Sequence, residues 1–217
     1  YVSYQSGTIH RADDADYEFP TFYPIMFNMD DDGDGEIDDG AWFINPFEIN
    51  LVNGDELLFV TLKKVWQTLD GGFTWQPIMN NTANGKSPYA VGISRDFSPT
   101  VYIGGDYALF YRVDDAYNAF PGDEVLLSSS VPASVTNDFI SNITVHPADK
   151  SICYVSFSNF SDEPRLWKVT NGTTAAPTWT SISGDLPQGL PVNYIDVDPT
   201  RPDSFFLAGT DYGLYTS

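Results

Sequence analysis

Ten consecutive residues carry the densest chemistry in the chain: Asp30-Asp31-Asp32-Gly33-Asp34-Gly35-Glu36-Ile37-Asp38-Asp39. Asp30, Asp32 and Asp34 take alternate positions, Gly35 follows for a sharp turn, and Ile37 stands two residues on. Hard oxygen ligands at that spacing wrap around a cation of calcium size. In this register Glu36 offers its backbone carbonyl, and Asp38 binds directly or through water. The twelfth position, where a bidentate Glu would complete the shell, is Ala41. The remaining ligand would come from Asp39 or from a carboxylate elsewhere, such as Glu48. Six Asp in ten residues repel one another unless neutralised. The expected role of the ion is therefore structural: it pins an inserted loop spanning residues 28–41.

Other chemistry is sparse. His10 and His146 are too few and too far apart for a zinc site. Neither a Gly-x-Ser-x-Gly elbow nor a phosphate-binding loop occurs. Thirty acids guarantee carboxylate pairs by chance, so the sequence alone nominates no glycosidase pair. Trp42, beside the acidic loop, is the best candidate for an exposed, sugar-stacking aromatic. Asn80, Asn142, Asn159 and Asn171 begin Asn-x-Ser/Thr sequons.

The elements that must position these groups are strands. Aromatic residues make up 15% of the 217, with 17 Gly and 15 Pro, and no long stretch follows a helical period. The net charge of −20 excludes a nucleic-acid binder, which needs a basic footprint, and disfavours anionic membranes. Apolar runs such as Glu56-Leu57-Leu58-Phe59-Val60 are too short to cross a bilayer. Cys153 is the only cysteine, so no intrachain disulfide forms, and its apolar neighbours Ile152 and Tyr154 predict burial.

One pattern recurs. Val65-Trp66-Gln67-Thr68-Leu69-Asp70-Gly71-Gly72-Phe73-Thr74-Trp75 has degenerate copies at Ile9–Phe19, at Tyr111–Phe120, and from Leu166 to Gly172 with Trp179 beyond. Asp14, Asp70 and Asp115 each stand five residues before an aromatic, Phe19, Trp75 and Phe120. Steps of 56, 45 and 56 residues separate Asp14, Asp70, Asp115 and Asn171. A second element precedes each copy: an alternating strand, a Pro/Asp turn, then an apolar strand, as in Ile195-Asp196-Val197-Asp198-Pro199 leading to Phe205–Thr210. A period near 50 with several short strands per unit predicts stacked blades around an axis.

Thr68-Leu69-Asp70-Gly71-Gly72-Phe73-Thr74-Trp75 resembles the Asp-box (BNR) motif at every defining position: Thr68, Asp70, Gly72, Thr74 and Trp75. The other three copies are degraded, with Asn171 in place of Asp and Asp16 or Tyr117 in place of Gly. The resemblance implies an all-β β-propeller of about four four-stranded antiparallel blades, with each box a hairpin between third and fourth strands. Blade units are expected near 1–42, 43–88, 89–138 and 139–190, with a partial unit at 191–217. In that family Asp70 would accept hydrogen bonds from turn amides and Trp75 would pack under the turn. The start aligns with the second strand of a blade and the end with the second and third strands of another, so the chain reads as an arc of a larger ring whose remaining blades are its partners.

The box is structural in the family and names no reaction. Sialidases, xyloglucan-degrading glycosidases, sorting receptors, photosystem assembly factors and bacterial surface proteins resemble one another in carrying it. A sialidase would need an arginine triad and an Arg-Ile-Pro segment. Arg11, Arg95, Arg112, Arg165 and Arg201 are present without that segment, and Arg11 and Arg112 read as solvated strand residues. The expected function is a non-catalytic, calcium-stabilised module of a secreted or cell-surface bacterial protein. It would serve adhesion, scaffolding or ligand binding, with a glycan or protein ligand and no membrane insertion. The alternative is a segment of a secreted glycoside hydrolase.

Overall fold

In the computed structural model, residues 1–4, 7–14, 16–26, 29, 40–80 and 85–217 are described. Their strands form five antiparallel sheets in chain order. The first holds β1 (Val2–Tyr4), β2 (Thr8–Arg11) and β3 (Tyr23–Pro24). The second holds β4 (Phe47–Ile49), β5 (Leu57–Val60), β6 (Val65–Thr68) and β7 (Gln76–Met79). The third holds β8 (Pro88–Ile93), β9 (Val101–Gly105), β10 (Phe110–Val113) and β11 (Val125–Leu126). The fourth holds β12 (Ile140–Val145), β13 (Cys153–Phe157), β14 (Leu166–Thr170) and β15 (Thr178–Ser181). The fifth holds β16 (Val192–Val197), β17 (Phe206–Thr210) and β18 (Gly213–Thr216). Each strand pairs with its sequence neighbour within the sheet. This is a β-propeller of five blades, three with four strands and two with three. The sequence pointed to about four. The outer two units carry only three strands each, yet both pair up as sheets in their own right.

The core lies between the blades. Leu57 and Phe59 of β5 join Ile9, Ile25, Trp66 and Trp75 at the first seam. Leu58 and Val60, on the opposite face of the same strand, join Val91, Ile103 and Tyr111 at the second. Successive strand residues point to opposite faces, so a strand buried on both sides reads as a continuous apolar run. That is why Leu57-Leu58-Phe59-Val60 does not alternate. Cys153, Val155 and Phe157 line the third seam, and Tyr154 the fourth. Cys153 is buried and free. Its thiol is pushed well up by burial.

The inner strands β4, β8, β12 and β16 begin their blades and stand close together. A Cβ at Gly92 would meet the Ile143 carbonyl oxygen at 2.6 Å, so only glycine fits there. One seam on, Thr144 fills the same kind of gap and donates its hydroxyl to the Ile195 carbonyl at 2.5 Å. Ser141 donates to the Val192 carbonyl, and the Asn142 side chain accepts from the Ile195 amide. Asn142 is thus a structural bridge and almost fully buried.

Candidate functional site

The turn after β6 is built by its own side chains. The Asp70 carboxylate accepts from the Thr74 amide at 2.8 Å and the Thr74 hydroxyl at 2.6 Å, and from the Thr68 hydroxyl at 2.8 Å. Burial works to raise the Asp70 carboxyl, but these hydrogen bonds outweigh it and hold the group below its ordinary range. The Gly72 amide donates to the Thr68 hydroxyl at 2.9 Å. Gly72 has φ +98°, and a Cβ there would strike Ile25 at 2.6 Å. Trp75 is buried and donates its indole N–H to the Ile25 carbonyl at 2.6 Å, tying this turn to the first blade. Every group in this turn is committed to holding backbone, and none converges on an open cavity.

The arginines do not converge either. Arg165 pairs with Asp138 at 3.0 Å, and Arg201 with Asp198 at 3.0 Å. Arg112, expected to be solvated, is 6% exposed. It donates to the Gly172 and Thr174 carbonyls of the next blade at 2.8 and 2.9 Å and to Asp114 at 3.0 Å. Arg11, half-buried, reaches the Gly71 carbonyl in the same way at 3.2 Å. Both arginines were misread because a seam position looks like a surface position until the neighbouring blade is placed. Trp42 is half-buried: its indole N–H donates to the Pro88 carbonyl at 3.1 Å, and its ring meets Tyr89 edge-on.

The ionisable groups that do converge lie on the propeller axis. Each inner strand ends in a residue whose amide donates back to the start of the next strand: Asn50 to Glu56, Ser94 to Thr100, His146 to Ile152, Asp198 to Phe205. Two residues before these stand Glu48, Gly92, Thr144 and Asp196, one rung on four different blades. Together with Arg95 and Tyr194 they line a cavity of about 190 Å³, to which Ile49 and Leu51 also contribute. Burial, and then the Asp196 carboxylate, push Glu48 up to about 7 against the pull of Arg95. Tyr194, half-exposed, is raised by burial and then by Glu48 and Asp196, which places all three groups within electrostatic reach. At neutral pH the cavity therefore offers a carboxyl that is part-protonated, a second carboxylate, a guanidinium and a phenol. Sequence reasoning missed this set because its members lie up to 148 residues apart, from Glu48 to Asp196. Superposing the four strand ends would have exposed the rung.

The predicted calcium ligands Asp30, Asp32, Asp34, Glu36 and Asp38, and Asp39, lie outside the described residues. Glu48, named as a possible further ligand, faces the axial cavity. Among the described residues no three or more His, Cys, Asp or Glu gather as a metal site. Among them, too, no helix is long and apolar enough to cross a membrane.

No protein-family model and no curated protein matches the sequence. Solved structures do. The chain is similar to YCF48 from Cyanidioschyzon merolae, with TM-score 0.67 and 11% identity over 98% of this chain and 61% of that one. An ancestral GH74 enzyme aligns with TM-score 0.60 and 11% identity, over 89% of this chain and 26% of that one. The GH74 xyloglucanase from Xanthomonas campestris aligns with TM-score 0.56 and 14% identity, over 79% and 27%. The chain thus spans from about a quarter to three-fifths of these proteins. At such identities the likeness establishes the propeller fold and nothing about activity.

Proposed function

We propose that this chain is an Asp-box-type propeller module that binds a ligand on its axis without turning it over. It would work in a secreted or cell-surface protein, in adhesion, scaffolding or ligand capture. The axial cavity carries this reading. It combines open space with Glu48, Arg95 and Tyr194, and with Asp196, one of whose carboxylate oxygens accepts from the Val197 amide. The Thr68–Trp75 turn supports the Asp-box assignment through its internal hydrogen bonds, which leave it no free chemistry. Calcium on residues 28–41 completes the proposal. Chelator should lower the melting temperature of the chain, and Asp32→Ala should lower it without chelator. No shift in either removes the metal from the account.

A second reading is a glycoside hydrolase segment. Glu48 and Asp196 favour it: a carboxyl raised to about 7 beside a second acid is a pairing that acid–base glycoside cleavage uses. A glycan array run beside a hydrolysis screen that includes xyloglucan separates the two. Retention without turnover is the expected outcome. Turnover that vanishes in Glu48→Gln would replace the binding module with an enzyme.

A further inference from the structure

We infer that the axial cavity takes an alkylammonium group, a primary amine on a short aliphatic stem, with its nitrogen between the Glu48 and Asp196 carboxylates. This assignment rests on the cavity being the ligand site and adds the class of ligand. Two carboxyl groups on one rung form the polar side. The Tyr194 ring, 51% exposed, stands beside them and offers a face that attracts cations. Leu51, 65% exposed, and Ile49 give the apolar surface on which a hydrocarbon stem can lie. A bare calcium ion needs six to eight oxygens, and no three acidic or imidazole groups gather there among the described residues. An anion would meet the same two carboxyls.

The groups facing Glu48 from the other strands set the pH behaviour. The turn after β8 presents Arg95, the one cation among the described residues of the cavity wall, which competes with the ligand. β16 presents Asp196 and Tyr194. β12 presents Thr144, whose hydroxyl is already donated to Ile195. In the empty cavity Glu48 keeps its proton up to about pH 7. An arriving ammonium displaces that proton, so affinity rises as pH climbs through 7.

Titration calorimetry with three isosteric probes, n-butylammonium, n-butanol and butyrate, tests this on the chain at pH 6 and pH 8.5. Only the ammonium should bind, about tenfold more tightly at the higher pH, with proton release at the lower. Asp196→Asn should weaken binding by roughly tenfold or more, and Arg95→Gln should tighten it by a few-fold. Because the two variants move in opposite directions, a folding defect cannot mimic both. Nα-acetyl-lysine amide, added as a fourth probe, separates a protein lysine from a small free amine as the source. Butanol binding as well as butylammonium, with no proton release, overturns the ammonium assignment and keeps the cavity as a ligand site. If no probe binds, the ammonium assignment fails. Glycan-array retention lost in Asp196→Asn would then still uphold the cavity, and retention unchanged in that variant would remove the cavity too.

Discussion

Two seams of this propeller solve one problem with opposite polarity. At the seam between the third and fourth blades, Tyr102 and Arg112 are cross-strand partners on β9 and β10. Both reach outward as donors: Tyr102 to the Lys150 carbonyl at 2.8 Å, Arg112 to Gly172 and Thr174. At the seam between the second and third blades the same pair of positions holds Leu58 and Gln67. Neither reaches the next blade's backbone. Instead Glu56, fully buried, accepts from Gln67 at 2.7 Å and Asn50 at 2.6 Å. Tyr117, from the turn of the third blade, adds its hydroxyl to the same carboxyl. One seam sends buried donors to backbone acceptors, and the other gathers donors around a buried acid. The difference matters because a guanidinium stays charged at any working pH, whereas a carboxyl does not. The second seam is therefore tied to pH through a buried acid, whereas the buried donors of the third keep their state.

The contrast can be broken most sharply at Arg112. Arg112→Met should cost about 3–4 kcal/mol, because it strands the Gly172 and Thr174 carbonyls and leaves Asp114 unpaired. Arg11→Met, at the equivalent but wetter position, should cost about 1 kcal/mol. Urea melts of the two variants measure the gap, and equal losses would erase the distinction between buried and wet clasps. Next comes Glu56→Ala, expected to cost about 2–3 kcal/mol as Asn50 and Gln67 lose their acceptor.

The pH dependence gives a finer test. Burial raises Glu56, and the hydrogen bonds from Asn50, Gln67 and Tyr117 only partly offset it. A carboxyl raised in the folded state stabilises below its unfolded value near 4.5, and that contribution is lost as pH rises through its folded value. Melts of the parent chain should weaken over that window, and Glu56→Gln should flatten this part of the curve. Glu48, raised to about 7, adds a slope of the same sign between about pH 4.5 and 7, which Glu48→Gln removes. Tyr102→Phe should cost no more than Arg11→Met, about 1 kcal/mol, or some 2–4 °C in Tm for a chain of this size. A loss well above that would mean the ring, stacked on Phe110, is displaced as well.

These seams also mark where the sequence stopped being legible. The blade period showed because strand, turn and box recur on one chain at a near-constant step. Leu57 to Val60 read as buried because both faces are apolar. Glu56 passed as the start of that apolar run, since nothing local tells a buried acid from a solvated one. Arg112 passed as a surface residue because its partners lie 60 and 62 residues on. The axial rung was invisible for the same reason. Its members touch only after four blades have been set around a common centre.

Five clasps share one direction, opposite to that of the Trp75 indole, which reaches back to Ile25. Tyr1 donates to Gly54, Arg11 to Gly71, Tyr102 to Lys150, Arg112 to Gly172 and Tyr154 to Pro202. In each, a side chain of the earlier blade holds a carbonyl of the blade made after it. A nascent chain emerging from its N-terminus thus carries its hooks first and its eyes second. The first, third and fourth blades thus carry donors that only their successors satisfy, and a blade slipped out of register there would strand the hooks behind it.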